Sequence, residues 1–174
     1  MGMKYMKLAA VIVTLSAGLL FTVPANAQKD EALGRFRDWY AVAYVEGGQK
    51  ICYMVSQPTV SEGDYTKRGP TYLQVTRRSG GDTADVVSIE AGYTYKRGSE
   101  VEVVIDGKAH AMFTDGQTAW AYEEKNDKTL ILRMAQGAKL VVKGTSTRST
   151  ATTDRYSLMG FMAAQRAMTK ACGK

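Results

Sequence analysis

A mainly β fold is what this 174-residue chain predicts: an antiparallel β-sandwich or flattened barrel with a short inserted helix and a C-terminal helix. Three observations predict it. Short β-branched and aromatic runs recur at even spacing from residue 36 to 123 and again from 139 to 156. Turn dipeptides such as Asp106-Gly107 and Asp115-Gly116 separate them. After Tyr156 the apolar period lengthens from that of a strand to that of a helix.

The first residues stand apart from this pattern. Lys4 and Lys7 precede an apolar run at 8–23, which ends in Pro24 and the small-residue tripeptide Ala25-Asn26-Ala27. That order is a secretory signal peptide, predicting cleavage after Ala27 and export by the Sec pathway. An uncleaved anchor needs about 20 apolar residues and no closing proline. The expected mature chain, 28–174, has 174 − 27 = 147 residues, which suits a single β-rich globular domain with no further membrane-spanning stretch.

Along the mature chain, residues 28–34 are polar and are expected to fray. Residues 36–46 and 50–56 flank Gly47-Gly48 and read as a hairpin. Residues 57–70 hold two of the three prolines with several polar residues, so a long exposed loop is expected there. Further strands are expected at 71–77, 86–92, 100–106, 108–114 and 117–123, with a turn at 79–82. Asn126 is the expected cap of a short helix with Leu130, Ile131 and Met134 inward, ended by Gly137. Strands at 139–145 and 149–156 follow. In 157–172, Leu158, Phe161, Met162, Gln165, Met168 and Ala171 recur at helical spacing, with Arg166 and Lys170 on the polar side.

Composition narrows the function. The net charge is +6 for the whole chain, and losing Lys4 and Lys7 leaves 21 basic against 17 acidic residues, or +4. Without basic runs, an exported chain this weakly charged is a poor nucleic-acid binder; the charge suits an anionic surface such as an envelope lipid, or a merely solvated exterior. The two cysteines, Cys52 and Cys172, form an even pair in an oxidising compartment and predict a structural disulfide tying the last helix to the body.

Catalytic signals are thin. His110 is the only histidine; in the alternation Lys108, His110, Met112 it lies opposite Ala109, Ala111 and Phe113 and reads as solvent-facing or structural. Glu100 and Glu102 share one side of a strand, an arrangement that fits a carboxylate hydrolase but more simply a wet face. No phosphate loop or nucleophile elbow occurs, and Gly160 reads as a packing glycine. No metal or other cofactor is expected. Tyrosines favour recognition surfaces, and Tyr65, Tyr93 and Tyr95, in the loop or at strand ends, are the contact candidates among them.

Several segments, taken in order, resemble the invasion-associated locus B family of exported bacterial proteins. They are Asp38-Trp39, Cys52-Tyr53, Ser56-Gln57-Pro58, the stretch Tyr72 to Arg77, Ala91-Gly92-Tyr93 and Ile105-Asp106-Gly107. Phe113-Thr114, Ala119-Trp120-Ala121 and the stretch from Asp154 through Gly160-Phe161 to Cys172 complete the set. The resemblance implies a periplasmic or outer-membrane-associated β protein, linked to host-cell invasion in some pathogens, with no catalytic residues to carry over. Many members of the family resemble one another in an extra cysteine near the first tryptophan segment, a region where this chain has Tyr44, which leaves one bridge here.

The expectation is therefore a non-catalytic interaction protein, its partner an envelope or host-surface protein or an anionic envelope lipid. Tyr65, Lys67 and Arg68 in the long loop are the expected contacts, because exposed loops carry function. The alternatives are the hydrolase built on Glu100 and Glu102, and a small-ligand carrier with an aromatic-lined cavity.

Overall fold

A computed structural model of the protein describes residues 30–80 and 84–173. The expected leader, Gln28 and Lys29 lie outside the described residues, as does the Gly81-Asp82 part of the expected turn.

The chain is mainly β, with one helix in mid-chain and one at the C-terminus. Its strands are β1 (Glu31–Phe36), β2 (Trp39–Glu46), β3 (Gln49–Ser56), β4 (Val60–Gly63), β5 (Tyr72–Arg78), β6 (Val86–Glu90), β7 (Glu100–Ile105), β8 (Lys108–Asp115) and β9 (Thr118–Trp120). Helix α1 (Glu124–Gln136), strands β10 (Lys139–Thr145) and β11 (Ala151–Ser157) and helix α2 (Phe161–Cys172) complete it. The strands form one open antiparallel sheet in the order β1-β2-β3-β5-β6-β9-β8-β7-β10-β11-β4.

Alternation decides which side of each strand is covered. Ala41 and Ala43, Cys52 and Met54, Leu73 and Val75, Val101 and Val103, and Leu140 and Val142 all face one interior. Helix α2 packs across β1, β2, β3 and β5, while α1 lies against β6. Trp39 meets Phe161 edge-on at 5.0 Å and donates from its indole nitrogen to the Ser157 carbonyl at 3.2 Å. The Asp38 amide donates to the Met159 carbonyl at 3.3 Å. The chain leaving β11 is thus held against the β1–β2 turn, and the sheet curls towards itself without closing.

Gly160 begins α2 with φ 97°, and a Cβ there would lie 1.9 Å from the Phe36 carbonyl oxygen. Only glycine permits both the left-handed backbone and this approach. The bond between Cys52 and Cys172 spans 5.9 Å between Cα atoms and joins β3 to the end of α2.

The structure departs from several local expectations. The segment from Glu31 onward does not fray: β1 pairs along β2 through the Gly34 irregularity, and its polar residues suit an edge strand. Arg37, at φ 58°, turns the chain with Asp38 and divides the expected 36–46 strand in two. The long loop contains β4, which pairs with β11. Helix α1 starts at Glu124 with Glu123 as its cap, and Asn126 sits inside the first turn, donating its amide to the Glu123 carbonyl. Leu130 and Met134 are buried as expected, but Met162 is 49 % exposed, since the buried stripe of α2 runs through Phe161, Ala164, Met168 and Cys172.

Candidate functional site

The loop after β4, the β6–β7 connection and the β10–β11 turn converge on one groove of about 540 Å³. Tyr65, Lys67, Arg68, Tyr93, Thr94, Thr147, Arg148 and Thr152 line it, among others. Gly92 makes the convergence possible. Its φ is 70°, a Cβ there would meet the Gly69 carbonyl oxygen at 2.3 Å, and the Gly69 amide donates to the Gly92 carbonyl at 2.9 Å.

The floor is a buried ion pair. Arg68 donates from both terminal nitrogens to the two carboxylate oxygens of Asp154, each at 2.7 Å, and from Nε to the Ala91 carbonyl at 2.6 Å. Their side chains are only 6 % and 3 % exposed. The guanidinium also lies 5.0 Å from the Tyr93 ring centre and 5.6 Å from that of Tyr65, within cation–π range. Tyr93 and Thr152 share a hydroxyl hydrogen bond at 2.7 Å, and burial pushes the Tyr93 phenol up.

This geometry sorts the expected contact residues. Tyr65 and Lys67 line the groove, and Lys67 is exposed. Arg68, expected as a free contact because it lies in a polar loop, instead has a buried side chain with all three nitrogens hydrogen-bonded to Asp154 or Ala91, so it positions the walls. Tyr95 is likewise no surface contact: it is 4 % exposed, packs edge-on against Tyr93 at 5.2 Å, and its phenol is pushed far up by burial.

Sequence reasoning passed over two residues here. Arg148 stands exposed on the rim, in a run rich in Ser and Thr from 145 to 153 that could have marked a polar binding turn. Asp154 was legible only as an inward position of the alternation Thr152, Asp154, Tyr156; its partner is 86 residues away. Among the described residues Lys67, Arg148 and Asp64 have no ion-pair partner, so the open rim carries two cations against one carboxylate.

The other candidates are separate from the groove. Glu100 accepts a hydrogen bond from the Tyr122 hydroxyl, and Glu102 is ion-paired with Lys143 at 2.6 Å. Both lie exposed on the outer face of β7, so they form a solvated strand face rather than a pair around a pocket. His110 is half-buried on the inward side of β8 beside fully buried Met112. Burial first, then Arg133 and Lys108, pushes its pKa down. Among the described residues no three His, Cys, Asp or Glu side chains gather as a metal site.

Comparison with known proteins agrees with the fold. The family model described as invasion associated locus B (IalB) protein matches residues 39–169. The crystal structure of invasion associated protein b from Bartonella henselae is similar, with 13 % identity and a TM-score of 0.57 over 79 % of this chain and 95 % of that one. No curated protein matches the chain.

Proposed function

The chain belongs to the invasion associated locus B family, and from that premise we propose that it is a non-catalytic interaction protein of the periplasm or outer membrane. In this reading it is exported by the Sec pathway and works as a single domain from Gln28 onward. It holds an anionic envelope or host-surface component in the groove between the β4–β5 loop and the β10–β11 turn.

The observation that carries the reading is the groove's division of labour. Arg68 and Asp154 neutralise each other and stiffen the floor, while Lys67 and Arg148 stand free on the rim. A rigid, hydroxyl-lined recess with unmatched cations suits an anion-bearing partner. The disulfide fits an oxidising compartment, and among the described residues no helix is long and apolar enough to cross a membrane.

The test is a photo-crosslinking residue at Thr147 in intact cells, with a second at Ala109 on the far side of the sheet. The expected result is an adduct from Thr147 alone, weakened when Lys67 and Arg148 are both replaced by alanine. Equal adducts from both positions, or an adduct indifferent to the two cations, would overturn the assignment.

A further inference from the structure

The outer face of the sheet carries a second recess whose chemistry is opposite in sign. On β2, β3 and β5, Tyr44, Tyr53, Val55, Tyr72 and Gln74 project away from the core, and with Asp30 and Glu90 they line a cleft of about 550 Å³. Cross-strand register explains the grouping. Val42 faces Tyr53, Val55 faces Gln74, and Tyr72 faces Glu90, so the tyrosines stand on neighbouring strands with a carboxylate directly opposite one of them.

Three features of this cleft point to one kind of occupant. The tyrosines are half-exposed, with Val55 and Gln74 between Tyr53 and Tyr72 in the same cleft. Tyr44 and Tyr53 stand edge to face at 6.0 Å. Asp30 and Glu90 have no ion-pair partner among the described residues. Aromatic faces attract cations, and free carboxylates add hydrogen-bond acceptors that a quaternary ammonium cannot use but a guanidinium can. The recess also continues past Val55 and Tyr72 into a further cleft of about 490 Å³ lined by Arg35, Arg37, Asp38, Tyr40 and Gln57, among others. Val55 and Tyr72 line both clefts, so an extended chain can run from one into the other.

We propose that the cleft between Tyr53, Tyr72 and Glu90 receives an arginine side chain from an extended peptide segment of a partner protein. The guanidinium lies against the tyrosine faces and donates to Glu90, which stands directly opposite Tyr72. Beyond it the peptide follows the outer face of β3 and β5 towards Tyr40, where Arg35 and Arg37 outnumber Asp38. This site is independent of the groove around Lys67 and Arg148.

The experiment titrates the isotope-labelled mature chain with the blocked tripeptide Ac-Ala-Arg-Ala-amide, followed by NMR. Its citrulline counterpart and phosphocholine are titrated in parallel. Saturable shifts of the Tyr53, Tyr72 and Glu90 signals are expected with the arginine peptide. Citrulline, or the Glu90→Gln substitution, weakens binding about fivefold, as loss of one exposed ion pair does. Tyr53→Ala acts in the same direction, and Glu90→Gln, at an exposed position, keeps the test decisive if the tyrosine variant folds poorly. The proposal is overturned if no saturable shift occurs, if citrulline binds equally well, if Glu90→Gln has no effect, or if phosphocholine matches the arginine peptide.

Discussion

Replacing Arg68 by alanine strands the Asp154 carboxylate in a site where that side chain is 3 % exposed. Two hydrogen bonds of 2.7 Å to the carboxylate and one of 2.6 Å to the Ala91 carbonyl disappear together. Removing one partner of a buried pair costs about 3–5 kcal/mol, because the remaining charge cannot recover its hydration. For a domain of this size each kcal/mol lowers the melting temperature by roughly 2–4 °C, so a drop of about 6–20 °C is expected. Thermal unfolding of residues 28–174 by circular dichroism measures it.

Two controls separate charge burial from general damage. Lys143→Ala removes an ion pair whose side chains are 55 % and 49 % exposed, and its expected cost is about 0–1 kcal/mol. The double variant Arg68→Met with Asp154→Leu removes both charges and fills similar volume, so it recovers most of the loss. If Arg68→Ala costs less than about 1 kcal/mol, or if the double variant is no better than the single, the pair does not anchor the groove as argued.

Two further predictions concern the scaffold. With Cys52 and Cys172 both replaced by alanine, a crosslink across 120 residues is lost, and the chain-entropy model assigns it about 5 kcal/mol. The urea midpoint of this variant therefore falls, and adding a reductant to the native chain reproduces the fall; an unchanged midpoint would show that packing alone holds α2. Asp127 is buried and accepts the Val87 amide at 2.8 Å; burial pushes its pKa above the ordinary 3.8. A raised carboxyl pKa favours folding when protonated, so this contribution is present below 3.8 and is lost as pH rises through the raised value. Asp127→Asn keeps an acceptor for Val87, is expected to be more stable than the native chain near pH 7, and has a flatter stability profile from pH 3.8 upward; a variant less stable at pH 7 would refute this sign.

Much of the architecture was readable because it is local. Asp106-Gly107 and Asp115-Gly116 turn where the dipeptides say they should, with positive φ at Asp106, Gly107 and Gly116. The buried alternation of Val101, Val103 and Ile105 follows from a strand period of two. Errors arose where weakly patterned segments take their order from a partner strand, adjacent in the chain for β1 and distant for β4. β1 and β4 have little apolar pattern of their own, yet β2 and β11 supply the hydrogen bonds that make them strands. The candidate groove was half legible: Tyr65 and Lys67 lie in it, while Arg148 joins them only because the β10–β11 turn folds over the same opening.

The residues alone determine that the chain is built from short antiparallel strands, that its last segment is an amphipathic helix, and that its two cysteines make an even pair suited to a bridge. These properties depend on period, turn chemistry and count, all of which survive without knowing which strands meet. Tertiary structure alone decides that Arg68 is a buried clamp rather than a free contact, and that opposite charges line recesses on two different faces. Those outcomes depend on the register and curl of the sheet, and a slip of one residue would exchange the inner and outer sides of a strand.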